Sequence, residues 1–235
     1  MLTHRQAIGQ GSAMGSGFLR FLLWMLLALC VGPASLILAE RFLPPVSTLM
    51  AARWLTGEAV DQHYVPLSRI SPELRSAVIA SEDAHFCTHG GVDWGALDEV
   101  LERAGPHGPS RGASTIPMQT AKNLFLWPSR SYVRKGLEIP LALLLDLAWP
   151  KRRILDVYLN IAEWGDGIFG AGAAARRYFH KGADALDVRE AALLATALPN
   201  PHLRNPAKPS PRHMGLAMRL MARMRSADNH TACVE

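Results

Sequence analysis

Residues 111–126, RGASTIPMQTAKNLFL, decide how this chain is read. Pro117 is comfortable in the first turn of a helix, with Ser114 or Thr115 as its cap. The apolar positions that follow keep a helical period to about residue 126. Such a helix points free backbone N–H groups and its positive dipole end at whatever lies before it, a ready site for phosphate or carboxylate. Gln119, Lys122 and Asn123, at i, i+3 and i+4, share one face. The plain alternative is a capped surface helix with no ligand.

The charge around this helix is one-sided. From Arg103 to Lys135 the chain carries Arg103, Arg111, Lys122, Arg130, Arg134 and Lys135 without one Asp or Glu, until Glu138 ends the run. Cations interleaved with Gly112, Ser114, Thr115, Gln119 and Asn123 suit an anion better than bulk solvent does, although a basic exposed face is the rival reading. Glu138, beside Arg134 and Lys135, could hold those groups in place, contact a substrate, or be half of a salt bridge. Pro140 predicts a kink or a fresh helix start.

Upstream lies SEDAHFCTHGG, residues 81–91, at the end of a helix predicted from Pro72, with Ser71 as its cap, to about Asp83. Successive helical positions point about 100° apart. One of Glu82 and Asp83 can therefore face a cleft while the other ties down the structure. Glu82 near Phe86 and His89 could form a desolvated site with a raised pKa; an ordinary helix end with two solvated acids is the alternative. His85, His89 and Glu82 also suggest a metal site, but nothing completes a coordination shell, and no metal ligands are expected.

The apolar periodicity predicts further helices near 49–55, 93–103, 131–148, 151–160, 170–179, 187–197 and 211–225, with strands hard to find. The last of these sets Arg212, Arg219 and Arg223 against Met214, Met218 and Met221, and is expected to pack on the domain with its arginines solvated. Residues 165–170, GDGIFG, fit G-x-G-x-x-G, but a helix, not a strand, is predicted before them. A glycine-rich turn that lets neighbouring helices pack closely is the better account, and no nucleic-acid partner is expected.

Of the 235 residues, 49% are hydrophobic, which excludes disorder. Residues 21–39 hold no charge and approach the roughly 20 residues that cross a hydrocarbon layer about 30 Å thick. An uncleaved anchor fits better than a signal peptide, whose apolar core is shorter. Arg5 and Arg20 before it, without an acid, place the N-terminus in the cytoplasm. Cys30 lies in this run, and Cys87 and Cys233 alone give no framework signal, so no bridge between them is expected. The division that results is a leader at 1–17, a transmembrane anchor at 18–40, a connector at 41–70, a mainly α single domain at 71–228 and a tail at 229–235.

Five segments in this order resemble glycosyltransferase family 51, the peptidoglycan glycosyltransferases. They are ED-x-x-F-x-x-H from Glu82, G-x-S-T-I-x-x-Q-x-x-K-N from Gly112, RK-x-x-E from Arg134, K-x-x-IL-x-x-YLN from Lys151, and GIFGAGAAARRYFHK at residues 167–181. The resemblance is to the monofunctional kind, related to the glycosyltransferase domain of class A penicillin-binding proteins. Neither S-x-x-K nor K-T-G occurs, and no transpeptidase module is expected.

The resemblance implies a lysozyme-like helical domain at the outer face of the bacterial inner membrane, polymerising lipid II onto a growing lipid-linked strand. Glu82 then looks like the general base. Ser114, Gln119, Lys122, Asn123, Arg130 and Lys135 look like donor-site groups around the diphosphate, and Glu138 like a second essential glutamate. No organic cofactor is implied, while a divalent cation at the diphosphate and cell-wall synthesis proteins as partners are left open. Met118 stands where a glutamine is usual, and Asp156 where a glutamate is usual, so any salt bridge Asp156 makes has to shift. A lytic glycosidase or a glycan-binding protein is the alternative.

Overall fold

The structure, a computed structural model, describes residues 11–103, 113–129, 131–226 and 230–235, without the side chains of 11–16, 26–30, 33, 34 and 226. Its elements in chain order are α1 (Gly11–Glu40), α2 (Thr48–Thr56), β1 (Asp61–Gln62), α3 (Pro72–Glu82), α4 (Trp94–Glu102) and α5 (Ile116–Phe125). They continue with α6 (Tyr132–Ala148), α7 (Lys151–Ile161), β2 (Glu163–Gly165), β3 (Ile168–Phe169), α8 (Gly170–Phe179), α9 (Val188–Ala197) and α10 (Pro211–Ser226). The chain is mainly helical, and the predicted helices stand within one or two residues of their observed ends.

The centre of the domain is α7. Every residue from Ile154 to Ile161 is buried, as expected of a helix enclosed on all sides. Around it, α5 packs on α6 and α7, while α3, α9 and α10 pack on one another. Helix α10 buries Ala217 and Leu220 and leaves Arg212, Arg219 and Arg223 exposed, as its pattern predicts.

Two polar residues inside α7 hold the connector against it. Asn160 accepts from the Val65 amide (2.8 Å) and donates to the Val65 carbonyl (2.9 Å). Asp156 accepts from the Leu67 amide (2.8 Å), the Tyr64 hydroxyl (3.1 Å) and Arg153 (2.7 Å). The shorter carboxylate therefore reaches its cation three residues back on its own helix.

Three expectations need correction. A small sheet is present, ordered β1-β3-β2, with β1 parallel and β2 antiparallel to β3. Its strands are too short for an alternating pattern to show in sequence. The GDGIFG segment supplies its hairpin, and the close-packing role of the glycines stands beside it: Gly170 has φ +83°, and a Cβ there would lie 2.8 Å from the Asn160 carbonyl oxygen. Of the two outcomes Pro140 predicts, the fresh start is not seen, and α6 runs through it with one amide donor missing.

Third, Cys87 and Cys233 form a disulfide, although 146 positions separate them. The last residues fold back as a short 3-10 turn at Ala232–Val234, with Val234 buried in the main core, and this brings the two Cα atoms to 5.5 Å.

The charge-free run 21–39 lies within the 30 residues of α1. Among the described residues no helix is long and apolar enough to cross a membrane, so the structure does not support the expected transmembrane helix. The side chains of 26–30, 33 and 34, inside that run, lie outside the described set. The end of α1 docks on the domain: Ile37 is buried and its carbonyl accepts from Trp149 Nε1 (2.8 Å), and Arg153 donates to the Glu40 carbonyl (2.6 Å).

Replacing Asp156 by Ala removes the acceptor of two connector donors and leaves Arg153 without its carboxylate. The variant is expected to lose about 3 kcal/mol in denaturant unfolding, the range seen when one member of a largely buried pair is removed; a loss under about 0.5 kcal/mol would refute the anchoring role.

Candidate active site

The site is built where the end of α3 meets the start of α5. Ser71 caps α3 by accepting from the Leu74 amide (3.1 Å), Pro72 follows in the first turn, and the helix ends at Glu82. Asp83 then turns inward. Its carboxylate accepts from the Ile116 amide at the start of α5 (2.8 Å) and from His89 Nε2 (2.9 Å). Thr115 caps α5 through the Met118 amide (3.3 Å) and donates its own hydroxyl to the Gly91 carbonyl (2.6 Å). Gly91 is required there: at φ +89°, a Cβ would lie 2.7 Å from the Ala142 carbonyl oxygen.

This overturns one expectation. The start of α5 is not open to a substrate anion, because Asp83 already occupies it. A carboxylate at the positive end of a helix is the same chemistry the sequence suggests, supplied from within the chain. The His85 and His89 pair is likewise divided, since the helix stops at Glu82: His85 Nδ1 faces Asp93 (2.8 Å) while His89 faces Asp83. Among the described residues no group of three or more His, Cys, Asp or Glu could hold a metal ion.

With Asp83 held inward, Glu82 points elsewhere. Its Oε2 accepts from Gln119 Nε2 (3.2 Å) and its Oε1 from the Ser81 hydroxyl (3.2 Å). Gln119 Oε1 accepts in turn from Tyr158 (3.0 Å), a fully buried phenol on α7, and this fixes the amide's orientation. Burial raises the Glu82 carboxyl above its ordinary 4.5, against the lowering effect of the Gln119 and Ser81 hydrogen bonds, and the Asp83 charge adds to the rise. Burial also keeps Tyr158 a donor, its phenol pushed well above 10.0.

A cleft of about 290 Å³ opens beside Gln119, with Lys122, Asn123, Tyr158, Trp127 and His202 among its walls. Glu82 is not itself a wall of this cleft; Gln119 connects the two. The predicted shared face of Gln119, Lys122 and Asn123 thus lines one space. The Lys122 ammonium makes no hydrogen bond or ion pair among the described residues, and burial lowers its pKa, with Glu138 opposing and Arg134 and Lys135 reinforcing the fall.

Those last three form a group of their own. Lys135 Nζ donates to Ser114 Oγ (2.6 Å) and to Glu138 Oε2 (2.7 Å), and Arg134 pairs with Glu138 Oε1. Glu138 is buried, so this carboxylate belongs to a compact charged cluster near Lys122. Of the other basic residues in the run, Arg103 pairs with Glu99 on the surface (2.6 Å), while Arg111 and Arg130 lie outside the described residues. Met118 is buried with Val92 and Ala142 and stays out of the cleft.

A second cleft, of about 530 Å³, shares Pro199 with the first and has Ser81, Arg204, Arg219 and Arg223 among its walls. The two hydrogen-bond donors of Glu82 therefore belong to different clefts, Gln119 to one and Ser81 to the other. Sequence reasoning missed Tyr158, Ser81 and these arginines. Tyr158 had a signal, since a phenol in so apolar a helix needs a partner; Arg219 and Arg223 are legible as basic residues of the last helix, but nothing in sequence joins them to Arg204 and Ser81.

The chain matches the transglycosylase family over residues 49–225. Among its relatives, a biosynthetic peptidoglycan transglycosylase of Brucella suis biovar 1 (strain 1330) is 50% identical over 213 residues, 90% of this chain and 95% of the relative. The protein of that name from Agrobacterium fabrum (strain C58) is 50% identical over 211 residues, 89% of this chain and 93% of the relative. The one from Rhodospirillum centenum is 56% identical over 168 residues, 71% and 73% of the two chains. A match across most of the sequence, with two of these relatives aligned along more than nine-tenths of their length, makes this chain a member of the transglycosylase family, as the motifs of glycosyltransferase family 51 imply.

Proposed function

We propose that the protein is a peptidoglycan glycosyltransferase that polymerises lipid II into β-1,4-linked glycan. One observation carries this: a partly buried carboxylate, Glu82, lies between two clefts that both present cations. A transfer between two lipid diphosphates calls for that layout, with a base at the junction and positive charge on either side.

In this mechanism Glu82 takes the proton from the acceptor's 4-hydroxyl as that oxygen bonds to the donor's anomeric carbon. The bond from that carbon to the diphosphate breaks, its electron pair leaves with the phosphate oxygen, and the configuration inverts. Glu82 then returns the proton to solvent. Lys122, with Lys135 and Arg134 behind it, meets the charge that develops on the leaving diphosphate, while Gln119, Asn123 and Ser114 supply polar contacts. Arg130 is proposed as a further donor-site cation and Glu138 as the group that holds Arg134 and Lys135 in register. Arg204, Arg219 and Arg223 suit the acceptor's diphosphate.

The reaction needs no organic cofactor. Among the described residues the donor set does not fit a resident metal ion, since the cluster beside Lys122 is cationic and Glu138 is already paired. The helical domain is taken as the lysozyme-like fold of the family. We further propose that residues 18–40 anchor it to the bacterial inner membrane with the N-terminus cytoplasmic. The support is the charge-free run inside one 30-residue helix and the preceding arginines.

Glu82→Gln is expected to lower lipid II polymerisation by about a thousandfold or more, and near-normal polymer would refute Glu82 as the base. Stability should move the other way. The folded Glu82 pKa is raised, so wild-type stability is fully present below the ordinary 4.5 and is lost as pH rises through the folded value. Gln does not titrate, so E82Q should melt at or above wild type at pH 7, with the gain vanishing near pH 4; a lower Tm at pH 7 would contradict the burial account. Lys122→Ala should reduce kcat/KM for lipid II by roughly a hundredfold, and unchanged turnover would remove it from the diphosphate site. Release of soluble sugars from finished wall, with no polymer made, would favour a lytic enzyme.

A further inference from the structure

We propose that the disulfide between Cys87 and Cys233 makes the chain's last residues a positioning strap for the loop that follows Glu82. The loop 83–93 carries Asp83, Phe86 and His89, and most of its fastenings face α5 and α7. Asp83 holds the Ile116 amide and His89, Gly91 accepts from Thr115, and Lys151 donates to the His89 carbonyl (2.6 Å) while its ammonium lies 4.9 Å from the centre of the Phe86 ring. Cys87 ties the same loop covalently to the chain's last turn.

The strap is itself fixed to the elements that carry the site. The Val234 carbonyl accepts from Arg75 on α3 (3.3 Å) and from Arg152 on α7 (2.9 Å), and His230 Nε2 meets the Ser76 hydroxyl of α3 (2.9 Å). Val234 is buried in the main core, and the Cys233 amide donates to Cys87 Sγ (3.3 Å). A covalent path thus runs from a turn seated on α3 and α7 to Cys87, two residues from His89, whose ring grips Asp83 next to Glu82. Opening the disulfide removes this covalent tie from the loop. Asp83 and His89 then hold the α3–α5 junction with less constraint, and water gains access to Glu82.

This rests on Glu82 being the base, and the test separates the two claims. The charged and titratable groups that act on Glu82 are Asp83 after it on the chain, Lys122 from α5 and Tyr158 from α7. None is altered by reduction, so a shift in the acid limb reports on the loop.

The experiment uses the full chain in detergent with lipid II, oxidised or reduced with a phosphine, beside Cys233→Ser and Cys87→Ser. Hydrogen exchange at loop 84–92 is followed in each form. Reduction should lower kcat roughly tenfold while changing KM by less than about twofold. It should also move the acid limb of kcat toward lower pH and speed loop exchange at least about tenfold. Both serine variants should match reduced wild type and ignore the phosphine, and reoxidation should restore only wild type. Unchanged loop exchange and an unchanged acid limb on reduction would overturn the strap, as would non-reducing peptide mapping without a Cys87–Cys233 link. No polymer from oxidised wild type would count against Glu82 as base, with loop exchange still deciding the strap.

Discussion

The carboxylate of Asp83 is the contact on which the rest of the site depends. It closes the end of α3 onto the start of α5 and holds His89 in the same grip. A hydrogen bond between an ionised acceptor and a backbone amide at a helix start is among the stronger ones available to a protein. Because Asp83 is committed inward, its neighbour is committed outward. Glu82 meets Gln119 and Ser81, and through them two clefts. Loss of the Asp83 contact would free α3 from α5 and, with it, the spacing between the carboxylate and Lys122.

The remaining order comes from α7. A helix buried from Ile154 to Ile161 has few places for polar groups, and each one present has a job. Asp156 and Asn160 fasten the connector, and Tyr158 orients Gln119. The proposed donor side is built by a different principle, in which like charges are brought together around one buried acid. Arg134 and Lys135 share Glu138, which offsets their repulsion, while Lys122 lines the cleft. A lysine already lowered in pKa by burial has strong reason to take up an incoming anion.

Much of this was legible in sequence where one residue's chemistry settles a local question. Ser71 with Pro72, and Thr115 with Pro117, mark helix starts that the structure reproduces, and the i, i+3, i+4 spacing of Gln119, Lys122 and Asn123 puts them on one wall. What could not be read were choices between equivalent partners. A free helix start calls for an anion, but nothing local distinguishes a substrate phosphate from Asp83, which lies 33 positions away. Strands of two or three residues carry no period, and a pair of cysteines 146 positions apart carries no signal until the chain's last turn is seen seated on α3 and α7.

The most direct test follows the Glu82 carboxyl itself. With side-chain carboxyl carbons labelled, an NMR titration assigned by comparison with Glu82→Gln can be set beside the pH dependence of single-turnover lipid II polymerisation. The account requires one resonance, missing in the variant, that titrates above the ordinary 4.5, with a midpoint matching the acid limb of the rate. A Glu82 carboxyl that titrates at or below that value, or a rate whose acid limb does not follow it, would contradict the assignment of Glu82 as the base.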